Sequence, residues 1–263
     1  MRLVTWNINS IRQRLHLIQK LDDEYNPDVI CLQEIKAQNT DFPLADVQGL
    51  GFPHIHVVGM KGYNGVAICS KLPLQEEFSR DWAGKSDCRH QSVKLPNGIE
   101  LHNFYVPAGG DEPNPDVNDK FRHKLDFLEE MTNWFPAEKD KNQPMVLVGD
   151  LNIAPLEDDV WSHKQLLKVV SHTPVEVEAL EKVMTSFGWV DAMRYHIPTP
   201  EKLYSWWSYR SRDWRKANKG RRLDHIWLTE PLRDKIKHLE VIVDARGWEK
   251  PSDHAPVLIE FAS

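Results

Sequence analysis

The chain has 263 residues and a formal net charge of −6, long enough to bury a large core, and a layered α/β or all-β unit of this size is ordinarily one domain, here spanning 1–263. Its three cysteines, Cys31, Cys69 and Cys88, are odd in number and never closely spaced, which excludes a disulfide framework and a cysteine zinc cluster and points to a reducing compartment, the cytoplasm. The first residues enter the alternating segment RLVTWNIN without an apolar signal region, and no stretch approaches a membrane span, so a soluble protein with no membrane partner is expected.

In chain order, LVTWNI reads as a strand, after which Ile11, Leu15, Ile18, Leu21 and Tyr25 fall at helical spacings until Pro27 stops the helix. DVICLQE is a near-continuous apolar strand, followed by strand candidates at 54–60, 64–71, 88–95 and 99–106. Phe121, Leu125, Leu128 and Phe135 mark a second helix over about 118–135, and PMVLVGDLN returns to a buried strand. Thr173-Pro174-Val175-Glu176 is a capping-box signature that opens a third helix at 174–187. Further strands follow at 222–229, 238–244 and 256–261, and the loops 107–119 and 209–222 are the most mobile connections expected. So many strands with helices grouped between them suggest two packed sheets with helices outside.

The polar residues sit in this pattern at strand ends. LVTWNIN delivers Asn7 and Asn9, VICLQE delivers Glu34, MVLVGDLN delivers Asp150 and Asn152, RRLDHIWL contains Asp224, and KPSDHAPV adds Asp253 and His254. Each alone reads as a cap or turn residue. Together they read as a site, because ligands in layered folds gather at loops beyond strand ends and an unpaired carboxylate after an apolar run is costly. An oxygen-rich cluster without thiols suits a hard cation, Mg²⁺ or Mn²⁺. The overall negative charge also hides a basic stretch: residues 209–222 carry seven cations against one acid, a net +6 that leaves −12 elsewhere. Preceded by YSWWSY, the stretch resembles an aromatic wall beside a phosphate track, and a polyanionic substrate follows.

LVTWNINSIR, PDVICLQE, NFYVPAG, VLVGDLNIAP, RRLDHIWL and PSDHAPV occur in the order and spacing of the exonuclease III family of DNA repair nucleases, and the chain resembles a bacterial member over essentially its whole length. The resemblance implies a four-layer α/β sandwich, two mainly antiparallel sheets flanked by helices. It implies Glu34 as the principal Mg²⁺ ligand with Asn7 and Asp253 nearby, Asp150 and Asn152 on the attacking water, His254 on the phosphate and held by Asp224, and Tyr105 donating to a phosphate oxygen. Trp206 stands where the family holds an abasic sugar, and Arg210, Arg212, Arg215 and Arg221 would contact DNA. The implied substrate of this monomer is duplex DNA with abasic sites or blocked 3′ ends.

Three positions depart from the family pattern. Asn9 stands where many members have Asp, Ala108 replaces an amide residue, and Arg221 takes the place of an aromatic in some relatives. Trp161 and His163 follow the Asp150-Asn152 pair closely; if their loop, 156–164, fills the pocket, a phosphatase for blocked 3′ ends replaces the abasic-site enzyme. A DNA-binding relative without catalysis is a third reading, disfavoured because no acid or histidine of the core is missing.

Overall fold

The computed structural model describes residues 1–262. The first sheet begins with β1 (Arg2–Asn7), β2 (Val29–Gln33), β3 (His54–Val58) and β4 (Val66–Ser70). The second takes β5 (Gln75–Phe78), β6 (His90–Lys94), β7 (Glu100–Tyr105), β8 (Met145–Asp150) and β9 (Val190–Asp191). A two-stranded ribbon, β10 (Trp206–Trp207) and β11 (Gly220–Arg221), follows; β12 (Asp224–Leu228) returns to the second sheet, and β13 (Ile236–Val241) and β14 (Val257–Phe261) to the first. The helices are α1 (Ile11–Tyr25), α2 (Leu44–Gly49), α3 (Asp119–Glu138), α4 (His163–Leu166), α5 (Pro174–Phe187), α6 (Ala192–His196), α7 (Trp214–Ala217) and α8 (Glu230–Arg233).

The strand orders are β13-β14-β1-β2-β4-β3 and β5-β6-β7-β8-β12-β9. Each sheet is antiparallel except for one central parallel pair, β1 with β2 and β7 with β8. Strand alternation explains the layers. Leu3, Val29, Cys31, Ile68 and Ile259 of the first sheet meet Leu101, Val146, Val148 and Ile226 of the second in one buried cluster between the sheets. The intervening residues face outward: Val4, Trp6, Ile30 and Leu32 pack with Leu17, Ile18 and Leu21 of α1, while Phe104, Leu147 and Trp227 pack with Phe127, Phe135, Leu180 and Phe187 of α3 and α5. This is the expected four-layer sandwich.

The helix limits follow local chemistry. After α1, Asn26 turns left-handed at φ 46° and Pro27 blocks continuation. In α5 the capping box forms as expected, Thr173 N donating to Glu176 Oε1 at 3.0 Å, and Gly188 closes the helix at φ 75°. The helix α3 runs past its expected end at 135 to Glu138, carrying Pro136 in its final turn. The edge strand β5 was not expected, because QEEF is exposed at every position and has no apolar alternation to announce it. No helix among the described residues is long and apolar enough to cross a membrane.

Candidate active site

The parallel pairs decide where the polar residues collect, since parallel strands end at the same edge. Asn7 ends β1, Glu34 follows β2, Tyr105 ends β7 and Asp150 ends β8. The antiparallel partners enter at that edge: β12 starts with Asp224, opposite Asp150, and Asp253 and His254 precede β14. Alternation then aims the side chains. Leu3-Thr5-Asn7, Leu101-Asn103-Tyr105, Val146-Val148-Asp150 and, in reverse, Leu228-Ile226-Asp224 are rows facing the space between the sheets. Each row is apolar at one end and polar at the site. Glu34 is the exception, because alternation would send it to the face opposite Gln33. Its backbone turns left-handed at φ 47°, a conformation that is strained for a non-glycine residue and that ends the alternation of β2.

Asn7 joins the two sheets at this edge. Its Nδ2 donates to Glu34 Oε1 and to Asp150 Oδ2, both at 2.9 Å. Tyr105, expected on a phosphate oxygen, donates its hydroxyl to Glu34 Oε1 at 2.9 Å. On the other side His254 Nδ1 donates to Asp224 Oδ2 at 2.8 Å, and its Nε2 lies 3.6 Å from Asp150 Oδ2. Asn152, left-handed at φ 54°, donates its N–H to Asp150 Oδ1 at 3.0 Å and its amide to the Val106 carbonyl. Asp253 accepts from Trp206 Nε1 at 2.9 Å and from Asn9 Nδ2 at 3.3 Å. The turn at 250–254 thus aims Asp253 and His254 into the same site, with Ser252 Oγ donating to the Asn7 carbonyl at 2.6 Å.

The electrostatics separate two poles. Burial alone would raise the Glu34 carboxyl, but the Asn7 amide, the Lys36 ammonium and the Tyr105 hydroxyl hold it below its ordinary value. Burial and the Glu34 charge keep Tyr105 a neutral phenol. Burial would depress the His254 imidazole, but Asp224 and Asp150 overrule it and push it up to about 10. Asp150, buried beside other acids, is pushed up to about 7 against the pull of that imidazolium. A charged histidine therefore faces an acid poised near neutrality, the placement a proton acceptor needs.

Two groups could hold a cation. Asp150, Asp224 and His254 offer ligand atoms within 4.8 Å of one another, but here the histidine is hydrogen-bonded to Asp224 and lies as a cation 3.6 Å from Asp150, which is unlike a metal ligand set. Glu34, Asn7 and Asp253 offer only oxygens. The Lys36 ammonium pairs with one of them, 3.1 Å from Glu34 Oε2, and donates to Asn9 Oδ1 at 2.6 Å, so the Glu34 side attracts positive charge, and the oxygen donors fit a hard divalent ion.

The site opens into a cleft of about 880 Å³ lined by Glu34, Tyr105, Asn152, Asp253 and His254 and by Trp161, Trp206, Arg210 and Arg221. Trp161 lines the cleft without filling it. His163 does not reach it; its ring turns to His172, Nδ1 to Nε2 2.8 Å. The basic stretch is divided. Arg210 and Arg212 are exposed, and Arg215 is exposed but paired with Asp244 at 2.9 Å. Arg222, counted with the basic stretch, is buried and held by Asp159 and Asp191 at 2.8 and 2.7 Å, so it belongs to the scaffold and not to a DNA track. Ala108 lines the cleft with only a methyl group.

Sequence reasoning missed Lys36, Ser205 and Arg89. Ser205 Oγ donates to Asp224 Oδ2 at 2.6 Å and accepts from the Leu223 and Asp224 amides, fixing the carboxylate that holds His254. Arg89 stacks over Tyr105 at 4.9 Å. Lys36 had a signal, a cation two residues after the isolated Glu34; Ser205 had none outside the aromatic run.

A model of the Endonuclease/Exonuclease/phosphatase family matches residues 4–254. The chain is 31% identical over 275 residues to exodeoxyribonuclease III of Haemophilus influenzae, covering 99% of this chain and 100% of that protein. It superposes on an AP endonuclease from Archaeoglobus fulgidus with TM-score 0.93 and 32% identity, and on the 3′ phosphatase NExo from Neisseria, solved with a product DNA hairpin, with TM-score 0.91 and 30% identity; each pair is covered over 100% of both chains.

Proposed function

The chain belongs to the endonuclease/exonuclease/phosphatase family, and from that membership we propose that it is a Mg²⁺-dependent DNA repair hydrolase that cleaves duplex DNA 5′ to abasic sites, leaving a 3′-hydroxyl, with 3′-to-5′ exonuclease and 3′-phosphatase activities. The observation that carries the reading is the meeting, through Asn7, of the Glu34 pole and the Asp150–His254–Asp224 chain at the mouth of a cleft walled by tryptophans and arginines.

In this reading Glu34, Asn7 and Asp253 hold the ion, with Mn²⁺ as a substitute for Mg²⁺. Bound there, the ion would neutralise charge on a phosphate oxygen. Asp150 orients the attacking water and takes its proton, with the Asn152 N–H fixing the carboxylate. His254 donates from Nε2 to the phosphate, where negative charge grows, while Asp224 and Ser205 keep its ring in place. Tyr105 adds a neutral hydroxyl donor. Trp206, anchored on Asp253, lines the place for the abasic sugar, and Arg210, Arg212 and Arg215 face the flanking phosphates. The protein works as a monomer in the reducing cytoplasm, consistent with three free cysteines.

A second reading is favoured by one observation: Arg221 and Trp161 both line the cleft that an abasic nucleotide must enter. It makes the protein a phosphatase of blocked 3′ ends. The test is one purified sample assayed with Mg²⁺ on matched duplexes carrying an abasic site, a 3′-phosphate and a plain 3′ end. Incision at the abasic site supports the first reading. Rapid release of 3′-phosphate with intact abasic duplex replaces it with the second, and inactivity on all three overturns both.

A further inference from the structure

Three carboxylates line the cleft, and the ion site accounts for two of them, Glu34 and Asp253. The third is Asp111, exposed in the loop 107–119 beside Ala108 and Gly110, which line the same cleft. Among the described residues Asp111 forms no ion pair, whereas Asp87 and Asp116 each meet an arginine, Arg89 and Arg122. An unpaired anion thus stands in a space whose cations, Arg210, Lys219 and Arg221, suit a polyanion.

The loop that carries Asp111 was expected to be mobile, yet around this residue it is anchored. Asn118 Nδ2 donates to the Gly109 carbonyl at 2.9 Å and to the Glu112 carbonyl at 2.6 Å, fastening the backbone on both sides of Asp111. Lys124 Nζ donates to the Ala108 carbonyl at 3.2 Å. Gly109 has φ 92°, and a Cβ there would come within 3.0 Å of the Lys124 chain, so the backbone is seated on α3 where only glycine fits. None of these contacts uses the Asp111 side chain, which is left free at the cleft.

We propose that Asp111 is a selectivity residue that works by repulsion: it opposes the phosphate backbone of duplex DNA in the cleft, so that the cations there do not retain undamaged duplex. The assignment rests on the DNA reading above. Phosphate contacts attract every duplex alike, because they carry no information about the bases. A like charge set among them subtracts from that attraction at every duplex. Only a site that also engages the Glu34 and Asp150 poles makes up the difference.

The test measures equilibrium binding, by fluorescence anisotropy, to an undamaged duplex closed by hairpin loops at both ends, which offers neither an abasic site nor a 3′ end. At low salt Asp111→Asn is expected to bind it about fivefold more tightly than wild type, the worth of one like-charge contact in water. The gain should shrink as salt rises. Asp111→Lys should bind more tightly still and steepen the log–log salt slope by about 0.9. Glu112→Gln makes the same change in net charge one residue away, outside the cleft lining, and should bind like wild type. Equal tightening by Glu112→Gln would reduce the effect to overall charge and overturn the assignment. Unchanged or weaker binding by Asp111→Asn overturns it too, weaker binding marking a carboxylate that accepts a hydrogen bond from DNA. Wild-type protein that binds no duplex overturns the DNA reading and this assignment together.

Discussion

Asn7 has one amide nitrogen and gives it to two carboxylates, Glu34 and Asp150, that lie on different sheets. The roles on either side of it separate by substitution. Glu34→Gln keeps the shape and removes the anion, so the variant should fold, bind DNA and lose most turnover; near-normal cleavage at limiting Mg²⁺ would reject Glu34 as the ligand. Asp150→Asn and His254→Ala should each lower kcat by about 10²–10⁴, the range for proton transfer and for charge stabilisation. Ser205→Ala removes one donor from the buried Asp224 carboxylate, worth roughly tenfold, and single-turnover rates should show the loss in kcat with KM unchanged. The acids of the site were legible because each stands at or beside the end of an apolar strand. Ser205 was not, since its role depends on a ribbon of two-residue strands that leaves no periodic trace.

At the scale of elements, the capping box of α5 was readable from four residues, yet Glu176 has a second task that the sequence does not show. Its carboxylate also takes the Lys124 ammonium from α3, and that ammonium donates to the Asn152 carbonyl at 2.8 Å and the Ala108 carbonyl at 3.2 Å. The pair is fully buried and braces the loops that carry Asn152 and Ala108. Lys124 escaped notice because a lysine between apolar helical positions reads as solvated surface. Lys124→Met leaves Glu176 charged and unpaired, which should cost about 3–5 kcal/mol, seen as a lower denaturant midpoint with an unchanged slope. Adding Glu176→Gln should recover part of the loss. No recovery would mean that the two side chains are uncoupled.

At the scale of the whole molecule, a net charge of −6 coexists with a cleft carrying Arg210, Lys219 and Arg221. Sequence counting exposed this imbalance but could not tell Arg222, locked between two acids, from its exposed neighbours. Replacing Arg212 with Ala should therefore weaken DNA binding and shrink the magnitude of its log–log salt slope by about 0.9 if one phosphate contact is lost. Arg222→Ala should instead destabilise the fold, and a normal melting curve for it would contradict its structural place. The layered fold itself was legible, because the alternation of the strands announces which faces are buried. The division of the site between the sheets has one more consequence. The spacing between the Glu34 and Asp150 poles is the gap between two sheets, and that gap is gauged by the bulk of the side chains filling it. The apolar core thus works as a caliper for the chemistry above it. Val148, two residues from Asp150 on the same row, can be shortened to Ala without touching the site. If the sheets settle into the void, turnover and metal requirement should drift together while the cleft keeps every one of its own residues.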